Sequence, residues 1–66
     1  MEIIINAPMD QQLSEGDMIP MGEGILKAKV VAVGPGSVIA VQDPTGKIFE
    51  GQRPQDSPVF RLPLRS

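Results

Sequence analysis

Along this chain the apolar positions come in short runs, each cut off by glycine, proline or a small polar residue. No window keeps apolar residues at i, i+3, i+4 and i+7 for the roughly eleven positions that define a helix. The pattern predicts strands. Residues 2–6, Glu-Ile-Ile-Ile-Asn, are rich in β-branched side chains and stop before Ala7-Pro8, as a first strand should. Met18-Ile19 begins a second, which Pro20 confines to an edge or a bend. Residues 25–33, Ile-Leu-Lys-Ala-Lys-Val-Val-Ala-Val, form the longest run. A period of two places Leu26, Ala28, Val30 and Ala32 on one face and Lys27 and Lys29 on the other. Val31 and Val33 succeed the lysines on that face, so this strand is expected to pass from solvent into cover. Residues 38–42, 47–50 and 59–62 supply further strands, the last held to an edge by Pro63.

The punctuation between runs is as informative. Gly34-Pro35-Gly36-Ser37 has proline at i+1 and glycine at i+2, the requirements of a type II turn. Asp43-Pro44-Thr45-Gly46 has the residues of a type I turn followed by a glycine bulge, with positive φ at Gly46. Lys27 to Glu50 therefore predicts a three-stranded antiparallel meander. Ser14 to Asp17 reads as a tight turn and Gly22 to Gly24 as a loop. A single helical turn is expected over Asp10 to Glu15, with Asp10 as its cap and Gly16 as its stop. Residues 51–58, GQRPQDSP, read as a proline-rich loop, and residues 59–66 as a terminal strand and tail. Residues 1–66 together predict one all-β domain of about five short strands, a small antiparallel barrel or a compact sandwich. Ile3, Ile5, Leu26, Val30, Val41, Ile48, Phe49 and Leu62 are its expected core.

Composition changes this picture mainly by exclusion. In a chain of 66 residues there is neither cysteine nor histidine, which removes disulfides, thiolate chemistry, zinc fingers and imidazole catalysis. No histidine exists to activate Ser14, Ser37, Ser57, Ser66 or Thr45 as a nucleophile. The acidic residues are separated singles, mostly beside glycine or proline in turns. Gly34 to Ser37 resembles a phosphate loop only in its glycines, because a strand and not a helix N-terminus comes next. No enzyme, no cofactor, no metal and no small-molecule substrate is expected. Six basic and eight acidic residues are interspersed, with a net charge of −2 and two phenylalanines as the only aromatics. Neither a basic stripe nor a base-stacking platform results, so no nucleic acid is expected as partner. No apolar run approaches the roughly 20 residues that span a membrane. The first residues, MEIIINAPMD, lack the basic start of a signal peptide. The expectation is a soluble protein, intracellular or within an assembled particle.

Two local resemblances bear on function. Lys29 to Gly36, KVVAVGPG, is similar to a strand-and-turn stretch common in the small co-chaperonin family that caps the large chaperonin ring. It covers eight of the 66 residues. The family's longer barrel, mobile loop and later glycine-aspartate strand have no counterpart here. Ala7-Pro8-Met9 with Glu15-Gly16-Asp17 is similar to part of a biotinyl domain, but the modifiable lysine between two methionines is absent.

A chain this small buries only about 60% of its unfolded surface and is marginal alone, which points to a protein partner or homo-oligomer. The expected function is that of a non-enzymatic structural or assembly protein, one subunit of a larger complex. A viral or phage capsid or tail accessory protein is its most concrete form. The alternative is a small soluble inhibitor or regulator of one larger protein; a co-chaperonin-like or oligonucleotide-binding barrel is a weaker one. The first and last strands, each beside a proline, are the expected free edges. The expected partner-binding residues are Ile3, Ile4 and Ile5, Arg53 and Pro54, Val59, Phe60, Arg61 and Leu62, and Leu64 and Arg65. The 51–58 segment and the tail should lie across the other chain. Methionines 9, 18 and 21 are adaptable side chains, suited to filling core gaps or to a contact surface.

Overall fold

The computed structural model describes residues 1–65; Ser66, the end of the expected tail, lies outside them. The fold is all-β, as the run lengths predict. Its strands are β1 (Glu2–Asn6), β2 (Met18–Pro20), β3 (Lys27–Val33), β4 (Val38–Gln42), β5 (Ile48–Gln52) and β6 (Val59–Pro63). They number six where about five are expected, and Met18–Pro20 is the short second strand that Met18-Ile19 begins. They form two antiparallel sheets, one of order β2-β3-β4-β5 and one of β1 with β6. Single bridges join the sheets at two corners, Ile5 with Met21 and Phe49 with Leu64. The result is a small sandwich and not a closed barrel.

β1 and β6, expected as free edges, pair with each other over five residues, from Glu2 with Pro63 to Asn6 with Val59. Alternation explains what this buries. Ile3 lies opposite Leu62 and Ile5 opposite Phe60, and all four side chains enter the core. Both strand prolines sit where the ladder needs no donor. The N–H of Leu64 donates to the Met1 carbonyl (2.9 Å), and that of Ala7 to the Pro58 carbonyl (2.8 Å). Pairs one step away therefore do not exchange hydrogen bonds, so Pro63 opposite Glu2 loses nothing. Pro20 is placed in the same way, since Met21 donates to Leu26 (3.0 Å) across the next pair.

The core holds six of the eight residues expected there, Ile3, Ile5, Val30, Val41, Phe49 and Leu62. Ala7, Leu13, Ile19, Ala28, Ile39 and Phe60 complete it, with Met21 packed against its margin. Ile48 is half-buried and Leu26 exposed. The Leu26 expectation fails because β3 starts one residue later, at Lys27. Val33 and Ala32 are also exposed, because the register shifts between Val30 and Ala32. One extra residue there breaks the period of two and re-aims the side chains beyond it.

Residues 10–15 form no helical turn. Gln11 N–H closes a β-turn on the Pro8 carbonyl (3.0 Å), and Leu13 enters the core. The hydrophobic gain of Leu13 outweighs a one-turn helix, whose nucleation is unfavourable. Pro35–Ser37 carries a short 3-10 pattern, within which Gly36 (φ 70, ψ 27) is not helical and has the positive φ that the type II reading requires. Gly36 (φ 70) and Ser37 (φ 65) are both left-handed. The expected loop 51–58 is shortened, because Gly51 and Gln52 belong to β5.

The Asp43 turn matches its prediction closely. Gly46 N–H donates to the Asp43 carbonyl (3.0 Å), and Gly46 has φ +92. Oδ1 of Asp43 accepts from Thr45 Oγ1 (2.7 Å), Thr45 N–H (3.0 Å) and Lys47 N–H (2.9 Å). The Thr45 hydroxyl bond, with the two backbone donors and the Lys47 charge, outweighs desolvation and holds the carboxyl below its ordinary pKa of 3.8. A lowered folded pKa adds stability that is present above the ordinary value and is lost as pH falls through the lowered one. Carboxyl NMR titration is expected to place the Asp43 midpoint below 3.8. The stability difference between the parent and Asp43→Asn should shrink across the same window. A midpoint at or above the ordinary value would mean that the turn is not held in solution.

Candidate functional site

The two sheets part along one line, between the first half of β1 and the loop joining β2 to β3. Beyond the Ile5–Met21 bridge, Gly22 N–H reaches across it, donating to the Ile4 carbonyl (2.9 Å). An open groove of about 470 Å³ lies there, lined chiefly by Glu2, Ile4, Met21, Glu23, Ile25 and Leu26. The loop that makes its far wall is tight, with Gly24 N–H on the Met21 carbonyl (2.8 Å). That closure leaves the two residues after Gly24 beyond the end of the paired strands. Ile25 is 87% exposed and Leu26 57%. Two large apolar side chains thus project beside an apolar cleft, with Glu2 and Glu23 at its margins.

Of the residues expected to bind a partner, Ile3 and Ile4 reach this groove. Ile3, Ile5, Phe60 and Leu62 are buried in the chain's own core, where alternation from β1 and β6 sends them, and of these Ile3 borders the groove. Ile4, Val59 and Leu64 point outward and are partly exposed. Arg61 pairs with Glu2 (3.6 Å) and Arg65 with Glu50 (3.0 Å); such exposed pairs contribute about 0–1 kcal/mol. Arg53 is engaged internally. Its backbone N–H donates to Ser37 (2.8 Å) and its guanidinium to the carbonyls of Gln11 (2.6 Å) and Pro8. It ties the 8–11 turn to the end of β5, and Pro54 beside it is half-buried. The tail also serves this chain, since Arg65 N–H donates to the Ile48 carbonyl (2.8 Å). Residues 51–58 and Leu64-Arg65 are thus tied to this chain, while Leu64 keeps an exposed apolar side chain.

The groove residues missed from sequence are Glu2, Met21, Glu23, Ile25 and Leu26. A signal for them existed in Ile25-Leu26 directly after a glycine loop, but alternation assigned Leu26 to the core. Met21 belongs to the group of adaptable methionines, and its fellows Met9 and Met18 are exposed.

Among the described residues no three acidic side chains converge as a metal site, and no side-chain polar atom is buried without a partner. Among the described residues no helix is long and apolar enough to cross a membrane. Comparison with protein families, curated proteins and solved structures finds no match to this chain. The geometry of the seam is therefore the basis for a functional reading.

Proposed function

We propose that this domain works by association and without turnover, as a structural or assembly subunit of a larger complex. The observation that carries the reading is the exposure of Ile25 and Leu26 beside the seam groove. The other strands obey inward-apolar alternation well enough to bury a continuous core. Contiguous apolar surface left outside such a core marks an interaction site. A stable contact needs about 1,000 Å² or more of buried surface, so the seam would be the centre of a larger interface. The outward side chains Ile4 and Val59 extend the apolar surface across the β1–β6 sheet. A capsid or tail accessory protein remains the most concrete form of this role.

The test is sedimentation of the protein from its native source, beside an Ile25→Asp variant. Ile25 is outside the core, so the variant should fold with unchanged stability, within about 0.5 kcal/mol. The parent should sediment as part of a particle several times its own size, and the variant as a free chain. A parent that sediments as a lone monomer would overturn the proposal and favour the regulator alternative.

A further inference from the structure

We infer that the seam receives an extended apolar segment of a different protein, flanked by basic residues; this rests on the association reading. Charge decides between the two obvious occupants. Glu2 and Glu23 both line the groove. Among the described residues Glu23 has no ion-pair partner, and Glu2 has only an exposed contact to Arg61 at 3.6 Å. A second copy docking by a two-fold axis would bring the same patch against itself. Four carboxylates would then meet around an apolar centre, a like-charge arrangement that opposes association. A segment with lysine or arginine beside its apolar residues meets the same rim with opposite charge.

The backbone indicates the form of the occupant. The Ile4 carbonyl faces the seam, where Gly22 N–H reaches it. In an antiparallel strand every second residue directs its backbone groups to the same side, so those of Glu2 face the seam as well. No backbone hydrogen bond from the β2–β3 loop reaches Glu2 among the described residues. An extended chain can continue the ladder there by strand addition while its alternate side chains enter the groove. The groove volume of about 470 Å³ falls within the roughly 300–1,000 Å³ of ordinary binding clefts.

The probes are three synthetic peptides: Lys-Val-Thr-Val-Thr-Val-Lys, the same core flanked by glutamate, and the lysine form with proline at its centre. Each is titrated into the isotopically labelled protein, with amide shifts read by NMR. Shifts should concentrate at Ile4, Met21, Gly22, Ile25 and Leu26. The lysine form should bind at least about threefold tighter than the glutamate form at low salt, the scale of one or two exposed ion pairs. That preference should vanish near 1 M salt, where screening is strong. Glu23→Lys, which leaves Glu2 opposite one lysine, should abolish it, and the proline form should bind more weakly than its parent. Equal binding of the two charge forms overturns the basic occupant but leaves docking at the seam intact. Equal binding of the proline form overturns strand addition. Concentration-dependent shifts at the seam without peptide assign it to a second copy instead. Absence of seam shifts with all three peptides overturns the inference, while the sedimentation result judges the association reading separately.

Discussion

Truncating Leu62 to alanine is expected to cost about 2–5 kcal/mol, the range for buried leucine. Leu62 is fully buried on β6, opposite Ile3 of β1. On its other side its Cδ2 comes within 3.1 Å of where a side chain at Gly51 of β5 would begin. It thus fills the corner at which the two sheets meet. The loss has little room to be absorbed, because the ladder with β1 and the Phe49–Leu64 bridge to β5 limit collapse into the cavity. At about 0.05–0.15 kcal/mol per residue, total stability is roughly 3–10 kcal/mol for a chain of this length. Leu62→Ala therefore removes a large share of it and leaves a substantial unfolded population at 25 °C. Urea unfolding measures the change, with Val59→Ala as the exposed control on the same strand. The control should lose about 1 kcal/mol or less. Equal losses for the two variants would show that β6 does not pack as described.

The second large effect is expected at Gly51, where two rules conflict. Strand propensity favours valine over glycine in a strand interior by up to about 1 kcal/mol. The backbone of Gly51 is not left-handed, so conformation gives no objection. Space gives a strong one. A Cβ there would lie 3.1 Å from Leu62 Cδ2 and 3.4 Å from Pro63 Cδ, and valine adds two further methyls. Forcing extra methyl groups into a packed site costs about 1–3 kcal/mol, which exceeds the gain in propensity. Gly51→Val should destabilise the protein in spite of its better propensity. Combination with Leu62→Ala supplies the decisive comparison. The truncated leucine vacates the space, so Gly51→Val should be neutral or stabilising in that background. A coupling of about 0.5–3 kcal/mol is the expected size for residues in contact. Strict additivity of the two changes in urea unfolding would refute the close approach of β5 to β6.

What the sequence determined by itself was local in origin. β-branched runs of limited length, proline and glycine punctuation and the Asp43 turn each depend on residues within a few positions of one another. All-β class, the meander and the Gly46 bulge could be read from them. So could most of the core, since alternation picks Val30 and the scarcity of large apolar side chains picks Ile3, Ile5, Val41, Phe49 and Leu62. Tertiary structure decided the rest. Pairing of β1 with β6 joins the two ends of the chain, and no local pattern encodes which edge meets which. That one pairing made the two expected edge strands a sheet of their own and took Phe60, expected at a partner surface, into the core. The bulge after Val30 and the late start of β3 were set by fit against β4 and the β2 loop, which moved Leu26 outside. The seam exists because the two sheets diverge beyond the Ile5–Met21 bridge and the Gly22 bond to Ile4. A groove is a gap between elements distant in sequence, so its walls, Glu2 and Ile4 on one side and Glu23 to Leu26 on the other, became neighbours only when the chain had folded.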